Sequence, residues 1–280
     1  MTEALRLIGP VALALVSALG VDRIMAVRGL LPPGFRAPWR RALGAGMVAV
    51  ALWMGVFLSL GQIGLAQEWD LAGMSPAQLF LLHGILLLTL AAWLLLAHGA
   101  AVARGRRDLA SQLGLRTVSP GKEILLGIGA GILTWPMLLV VVGIALLILV
   151  AAGAEELVPQ QAPELVVWIA ALPLVWKVAI AASAGFVEEV FFRGFLQPRV
   201  GIGISTLLFV LAHLSYDQPF MLVGITLLSF LFAALVWWRQ NIWAAVVAHF
   251  LFDAVQLVFV IPWALREGGG TGLEGLARLL

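Results

Sequence analysis

Three observations on the 280-residue sequence predict an all-α, polytopic membrane protein with about eight transmembrane helices. Hydrophobic residues make up 62% of the chain and charged residues only 11%, against roughly 25% charged in a soluble domain. The mean hydropathy is +1.05, and the apolar residues fall in runs of membrane-spanning length separated by short basic loops. No water-soluble core absorbs that much apolar surface. Residues 1–280 are therefore expected to form a single multi-pass domain in the lipid bilayer of a cell membrane, a bacterial inner membrane being the expected setting. The formal charge of +2 comes from loops between spans, so nucleic-acid binding is excluded as a reading. Cysteine is absent, which removes disulfides, thiolate metal sites and cysteine nucleophiles.

A hydrocarbon core about 30 Å thick needs about 20 apolar residues per helix. That criterion selects 5–22, 42–66, 77–103 and 123–152 in the first half, then 174–197, 201–216, 219–238 and 242–263 in the second. The run Leu7–Val21 lacks a small-residue cleavage motif and is expected to stay as the first helix. Connections in the second half are so short that neighbouring helices must pack antiparallel. Glu164–Trp176, punctuated by Pro163 and Pro173, is expected to lie at the interface, with Lys177 at the water-facing end of the fifth helix. Residues 1–152 are expected to hold the first four helices and 174–263 the remaining four.

Cytoplasmic loops carry an excess of Lys and Arg. Arg23, Arg28, Arg36, Arg40 and Arg41 mark the first loop as cytoplasmic, and Arg104, Arg106, Arg107, Arg116 and Lys122 mark the third. The intervening loops carry Glu68 and Asp70, then Glu155, Glu156 and Glu164, with no basic residue. Arg199 and Arg239 follow on the cytoplasmic side, so both termini are expected outside. Gly127 and Gly131 have the spacing that lets two helix backbones approach closely. Most of the 11 tryptophans, among them Trp39, Trp69, Trp237, Trp238 and Trp243, lie near helix ends and suit interface anchors.

Ionisable groups at bilayer depth are costly, so a cluster of them is a functional hypothesis by default. The fifth helix carries Glu188, Glu189 and Arg193, the sixth Phe209 and His213, and the eighth His249 and Asp253. With Gln197, Gly201 and Ile242 as the cytoplasmic ends, a rise of 1.5 Å per residue puts Glu188 about 14 Å deep, His213 about 18 Å, His249 about 10 Å and Asp253 about 16 Å. These depths let three helices contribute to one set. Residues four apart share a face, so Glu189 can pair with Arg193 and His249 lies one turn from Asp253. Glu188 is turned about 100° from Glu189, which leaves one carboxylate neutralised and the other free.

A free carboxylate beside an imidazole can deprotonate water, and a second imidazole with a polar neighbour can stabilise a tetrahedral oxyanion. That equipment suits amide hydrolysis. Three other readings stay open: a purely structural ion pair, a zinc site built from Glu188, His213 and His249 with Asp253, and the proton relay of a transporter or scaffold. His83 and His98 fall outside the cluster and receive no role, and Asp217 beside Pro219 suits a turn.

The motifs Glu188-Glu189-x-x-x-Arg193, Phe209-x-x-x-His213 and His249-x-x-x-Asp253 stand in this order. Together they resemble the CAAX prenyl endopeptidase and bacteriocin-processing family of intramembrane glutamic-type proteases, over roughly 174–263. The resemblance implies a membrane-associated peptide or protein substrate and no cofactor or metal. It casts Glu188 as the water-activating carboxylate with His213 as its partner. His249 and Asp253 then match the oxyanion-stabilising pair, and Glu189 and Arg193 the remaining motif positions. Asp253 stands where prenyl-protein-processing members have Asn, so the resemblance implies a peptide bond as target without fixing a prenyl group.

Overall fold

The computed structural model describes residues 3–58, 75–105, 108–154, 164–214 and 221–267. Glu68, Trp69, Asp70, Arg106, Arg107, Glu155, Glu156, Pro163, Asp217 and Pro219, discussed above, lie outside the described residues, as does 59–66 of the second expected span.

Every regular element among the described residues is helical. The first half comprises α1 (Glu3–Val27), α2 (Pro38–Leu52), α3 (Pro76–Val102) and α4 (Pro120–Ala151). Helices α2, α3 and α4 each begin on proline, whose missing N–H costs nothing in the first turn. Ser75 and Gln78 add a capping box to α3. The second half comprises α5 (Glu164–Ala171), α6 (Leu174–Glu188), α7 (Gln197–Val200), α8 (Ile202–Ala212), α9 (Met221–Arg239), α10 (Trp243–Val255) and α11 (Ile261–Glu267). The expected interfacial helix is cut at Pro173, whose extended ψ of 148° ends α5 and lets α6 start at Leu174.

Among the described residues six helical stretches are long and apolar enough to cross a membrane: Ile8–Val27, Pro38–Phe57, Pro76–Val102, Pro120–Ala151, Met221–Arg239 and Trp243–Trp263. The protein is thus a multi-pass membrane protein. The other two expected spans take different forms. Helix α6 continues through a π-helical segment, Glu189–Leu196, into α7, and this stretch carries the ionisable groups of the site. The stretch expected over 201–216 is helical over Ile202–Ala212, about 16 Å long at 1.5 Å per residue and so about half a hydrocarbon core. It starts at Gly201, whose φ of +90° turns the chain sharply between α7 and α8 in a conformation open to glycine.

Helices α4 and α10 approach closely where the glycine spacing predicts. A Cβ on Gly127 would stand 2.5 Å from Val247 Cβ and 2.6 Å from the Ala244 carbonyl oxygen, and one on Gly131 would stand 3.0 Å from Leu251 Cδ2. Backbone contact of this kind is how helices associate where lipid removes the hydrophobic drive between them. Gly127→Val should therefore force α4 from α10 and lower the thermal midpoint in detergent, overpacking costing about 1–3 kcal/mol. Gly129→Val is the control, since nothing lies within 4 Å of its Cβ position. Equal midpoints for the two variants would contradict the contact. Elsewhere α4 exposes Leu125, Ile132 and Leu147, the lipid-facing surface of a membrane helix.

The basic loops gather at one end of the bundle. Arg28 Nη1 donates to the Arg199 carbonyl at 3.1 Å. Arg239 grips Glu123 with both nitrogens, at 2.7 and 3.2 Å, joining the end of α9 to the start of α4. The Ile242 N–H donates to the Gly114 carbonyl at 3.0 Å and the Trp243 indole to the Leu115 carbonyl at 2.8 Å. In the same loop the Arg116 hydrogen bond holds the Asp108 carboxyl below the usual carboxylate range. Trp39, Trp237 and Trp238 are exposed near helix ends, as anchors would be. Trp93 is instead buried, edge-on to Phe35 and Phe195.

Candidate active site

The site forms where α6 changes from α-helical to π-helical winding. Such insertions are rare and frequent at functional sites, because they re-aim side chains that a regular helix would stack. Here the change falls between the two adjacent carboxylates: Glu188 closes α6 and Glu189 opens the π segment. All eight residues of the segment are buried. Its altered backbone is held from outside. Ser205 Oγ of α8 donates to the Phe192 carbonyl at 2.6 Å, and Gln197 Nε2 donates to the Ala233 carbonyl of α9 at 3.0 Å. A Cβ on Gly194 would stand 2.5 Å from the Leu113 carbonyl oxygen, so the loop before α4 lies directly on the segment.

Glu189 has no solvent exposure. Its Oε1 lies 3.1 Å from Arg193 Nη1, the ion pair that helical spacing predicts. It also accepts from His249 Nδ1 at 3.0 Å, a contact that spacing along one helix cannot foretell. A guanidinium and an imidazole thus answer one carboxylate. Arg193 reaches on to Ser229 of α9, with Nη2 3.2 Å from the hydroxyl and 3.4 Å from the carbonyl. Its guanidinium carbon lies 4.2 Å from the centroid of Phe209, a cation over an aromatic face.

Phe209 is the hub of the cluster. It contacts Phe192 edge-on at 5.0 Å, His213 at 4.6 Å and His249 at 6.3 Å between centroids. This explains the physical use of a phenylalanine one turn before the histidine: one ring positions an arginine and two imidazoles. Helix α8 ends at Ala212, which leaves His213 at its C-cap with Nδ1 2.8 Å from the Phe209 carbonyl. A carbonyl only accepts, so Nδ1 carries the proton and the neutral ring has its lone pair on Nε2.

His249 stacks on Phe232 at 5.1 Å. Its Nε2 lies 3.5 Å from Asp253 Oδ2, beyond the roughly 2.7–3.2 Å of an ordinary N–H···O bond. The ring therefore has a tight carboxylate on one side and a loose one on the other. The Phe209 ring sets His213 beside His249 and Arg193. Glu188 is half-buried, and its Oε2 is enclosed without a hydrogen bond to any described residue.

All six residues singled out in the sequence thus converge on one cluster. Ser229 and Phe232 of α9 join it without any signal in the motifs. His98, without an assigned role, is buried edge-on to Trp93. Among the described residues no group of three or more His, Asp or Glu side chains is arranged to hold a metal ion.

Residues 170–255 match the family model described as type II CAAX prenyl endopeptidase, Rce1-like, so the chain carries an Rce1-like domain over the segment that builds this cluster. The uncharacterized protein YpbD of Bacillus subtilis is 37% identical over 71 residues, which is 25% of this chain and 38% of that protein. The chain thus matches well under half the length of this curated relative. No solved structure matches.

Proposed function

We propose that this protein is a membrane-embedded endopeptidase of the CAAX-protease type, in which Glu188 activates water to hydrolyse a peptide bond of a membrane-associated substrate. One observation carries the reading: of two adjacent carboxylates, Glu189 is tied through Oε1 to Arg193 and His249, its Oε2 being left without a hydrogen bond, while Glu188, with its Oε2 enclosed, bonds to no described residue. A carboxylate left with an unused lone pair in a low-dielectric site is a competent general base.

The geometry supports the following sequence. Water is oriented by Glu188 and by the lone pair on His213 Nε2. Glu188 takes one proton as the water oxygen bonds to the scissile carbonyl carbon, whose oxygen becomes an oxyanion. His249 Nε2–H, held only loosely by Asp253, turns to that oxyanion while Nδ1–H stays on Glu189. The tetrahedral intermediate then expels the amine, which receives the proton from Glu188, and the carboxylate is restored. No covalent enzyme intermediate forms.

Purified protein in detergent, presented with a farnesylated CAAX-type peptide and its unprenylated counterpart, should release a C-terminal fragment measurable by mass spectrometry. Cleavage of neither peptide, together with proton-coupled solute uptake in liposomes, would replace this reading with the transporter one. The same proposal places the basic end of the bundle in the cytoplasm. Reporter fusions after Arg41 and Arg107 should then be cytoplasmic and those after Asp70 and Glu156 external. An external reporter after Arg107 reverses the orientation.

A further inference from the structure

Arg199 is only 7% exposed, yet no ion pair among the described residues includes it. It stands in α7, directly after the π segment, at the end of the bundle where the basic loops gather. Its guanidinium carbon lies 4.2 Å from the centroid of Phe195 and 4.8 Å from that of Trp93 in α3, and Nη1 donates to the Phe195 carbonyl. Two rings and one carbonyl offset part of the cost of burying a cation, and they supply no counter-charge. The carboxylates of this end are already taken by other arginines: Asp22 by Arg41 at 2.6 Å, Asp108 by Arg116 at 2.5 Å and Glu123 by Arg239 at 2.7 Å.

Two further arginines close on the same place. Arg28, which follows α1, donates to the Arg199 carbonyl at 3.1 Å. Arg40 of α2 donates to the Leu96 carbonyl of α3, close after Trp93 in that helix. Neither belongs to an ion pair among the described residues. The Arg40 Nε and the Trp93 indole N–H are both enclosed without an acceptor. The turn before α2 holds these parts together: Phe35 meets Trp93 edge-on at 5.2 Å, and a Cβ on Gly34 would stand 2.5 Å from the Ala97 carbonyl oxygen. Cations without anions and donors without acceptors thus collect where the ends of α1, α2 and α3 meet α7. Trp39, exposed beside Arg40, suits the bilayer interface, the level at which lipid phosphates stand.

We infer that Arg28, Arg40 and Arg199 form a binding site for the phosphate of an anionic phospholipid, seated where α1, α2, α3 and α7 meet. Arginine suits the role because its planar fork meets phosphate oxygens two at a time. Arg28 is exposed and meets the bilayer surface directly, while the buried Arg199 adds a charge that salt screens weakly. A net negative headgroup fits this place better than a zwitterionic one, which would bring another cation to it. The inference does not depend on the reading of Glu188. It sets a lipid at the end of the helix that continues from the π segment.

The test is native mass spectrometry of the full-length protein in detergent, titrated with phosphatidylglycerol, with phosphatidylcholine of the same acyl chains, and with inorganic phosphate. The first phosphatidylglycerol should bind about tenfold more tightly than the first phosphatidylcholine. Arg28→Gln should weaken that binding about fivefold. Arg199→Gln should weaken it about tenfold, and the exposed Arg28 carries the test where Arg199→Gln does not fold. Arg23→Gln and Arg104→Gln, at exposed basic residues of the same end outside this set, should stay within about twofold of wild type. Equal binding of the two lipids overturns the inference, because charge is then not recognised. So does equal weakening by Arg23→Gln and Arg28→Gln, which means a diffuse basic surface, or wild-type binding in both Arg28→Gln and Arg199→Gln. Inorganic phosphate that displaces phosphatidylglycerol at equal concentration also overturns it, since the ligand would then be a free anion.

Discussion

Glu188→Gln is expected to lower peptide cleavage by about 10²- to 10⁴-fold, to the limit of detection, with expression, monodispersity and thermal midpoint as in wild type. The substitution keeps shape and removes the ability to accept a proton. Its structural cost should be small because Glu188 Oε2 bonds to no described residue, so no buried partner is orphaned. The same change at Glu189 is expected to damage folding as well, since that carboxylate holds Arg193 and His249 together. The contrast between neighbours is the informative part. Wild-type activity should also survive prolonged chelation, because the proposed base needs no metal to lower the pKa of water. Activity that vanishes with chelator and returns with zinc would reassign His213, His249 and Glu188 as ligands. Full activity in Glu188→Gln would move the cluster to the proton-relay reading.

Much of this arrangement is legible in the sequence because the bilayer imposes a simple rule. A stretch of about 20 apolar residues has to be a helix, and a charge within it has to be answered. Hence the four helices of the first half, the Gly127 and Gly131 contact and the Glu189–Arg193 pair all follow from period and spacing. Three features do not follow. The π winding of Glu189–Leu196 has no signature in hydropathy, and it lies where Ser205 of α8 bonds the Phe192 carbonyl and the Leu113 loop packs against Gly194. The short α8 is hidden because 201–216 is apolar throughout, while the chain turns at Gly201 and the helix ends at Ala212. The Glu189–His249 bond joins residues 60 apart in sequence, and a one-dimensional pattern sets depth but not azimuth. The His83–Ser183 contact is hidden for the same reason: Ser183 is an ordinary helix residue until α3 is laid on α6. The signal that was available is that a lone histidine in an apolar span needs an explanation.

Arg193→Ala should produce the largest loss of stability of any single change in the site. Arg193 and Glu189 are 1% and 0% exposed, and breaking a buried pair by removing one partner costs about 3–5 kcal/mol. The penalty arises because Glu189 stays in a low-dielectric position with His249 as its remaining donor. Loss of the cation over Phe209 adds about 0.5–2 kcal/mol and loosens the ring that positions His213. Purified yield and thermal midpoint in detergent should both fall, and cleavage should fall with them. A double variant separates the electrostatic cause from simple loss of volume. Glu189→Gln with Arg193→Met removes both charges while keeping most of the packing, and it should recover much of the midpoint lost in Arg193→Ala. Cleavage should not recover, because His249 then lacks the carboxylate that holds Nδ1–H and is left with Asp253 alone. A double variant no more stable than Arg193→Ala would mean that the guanidinium acts by filling space between Phe209 and Ser229. Wild-type yield and midpoint in Arg193→Ala itself would contradict the buried pair altogether.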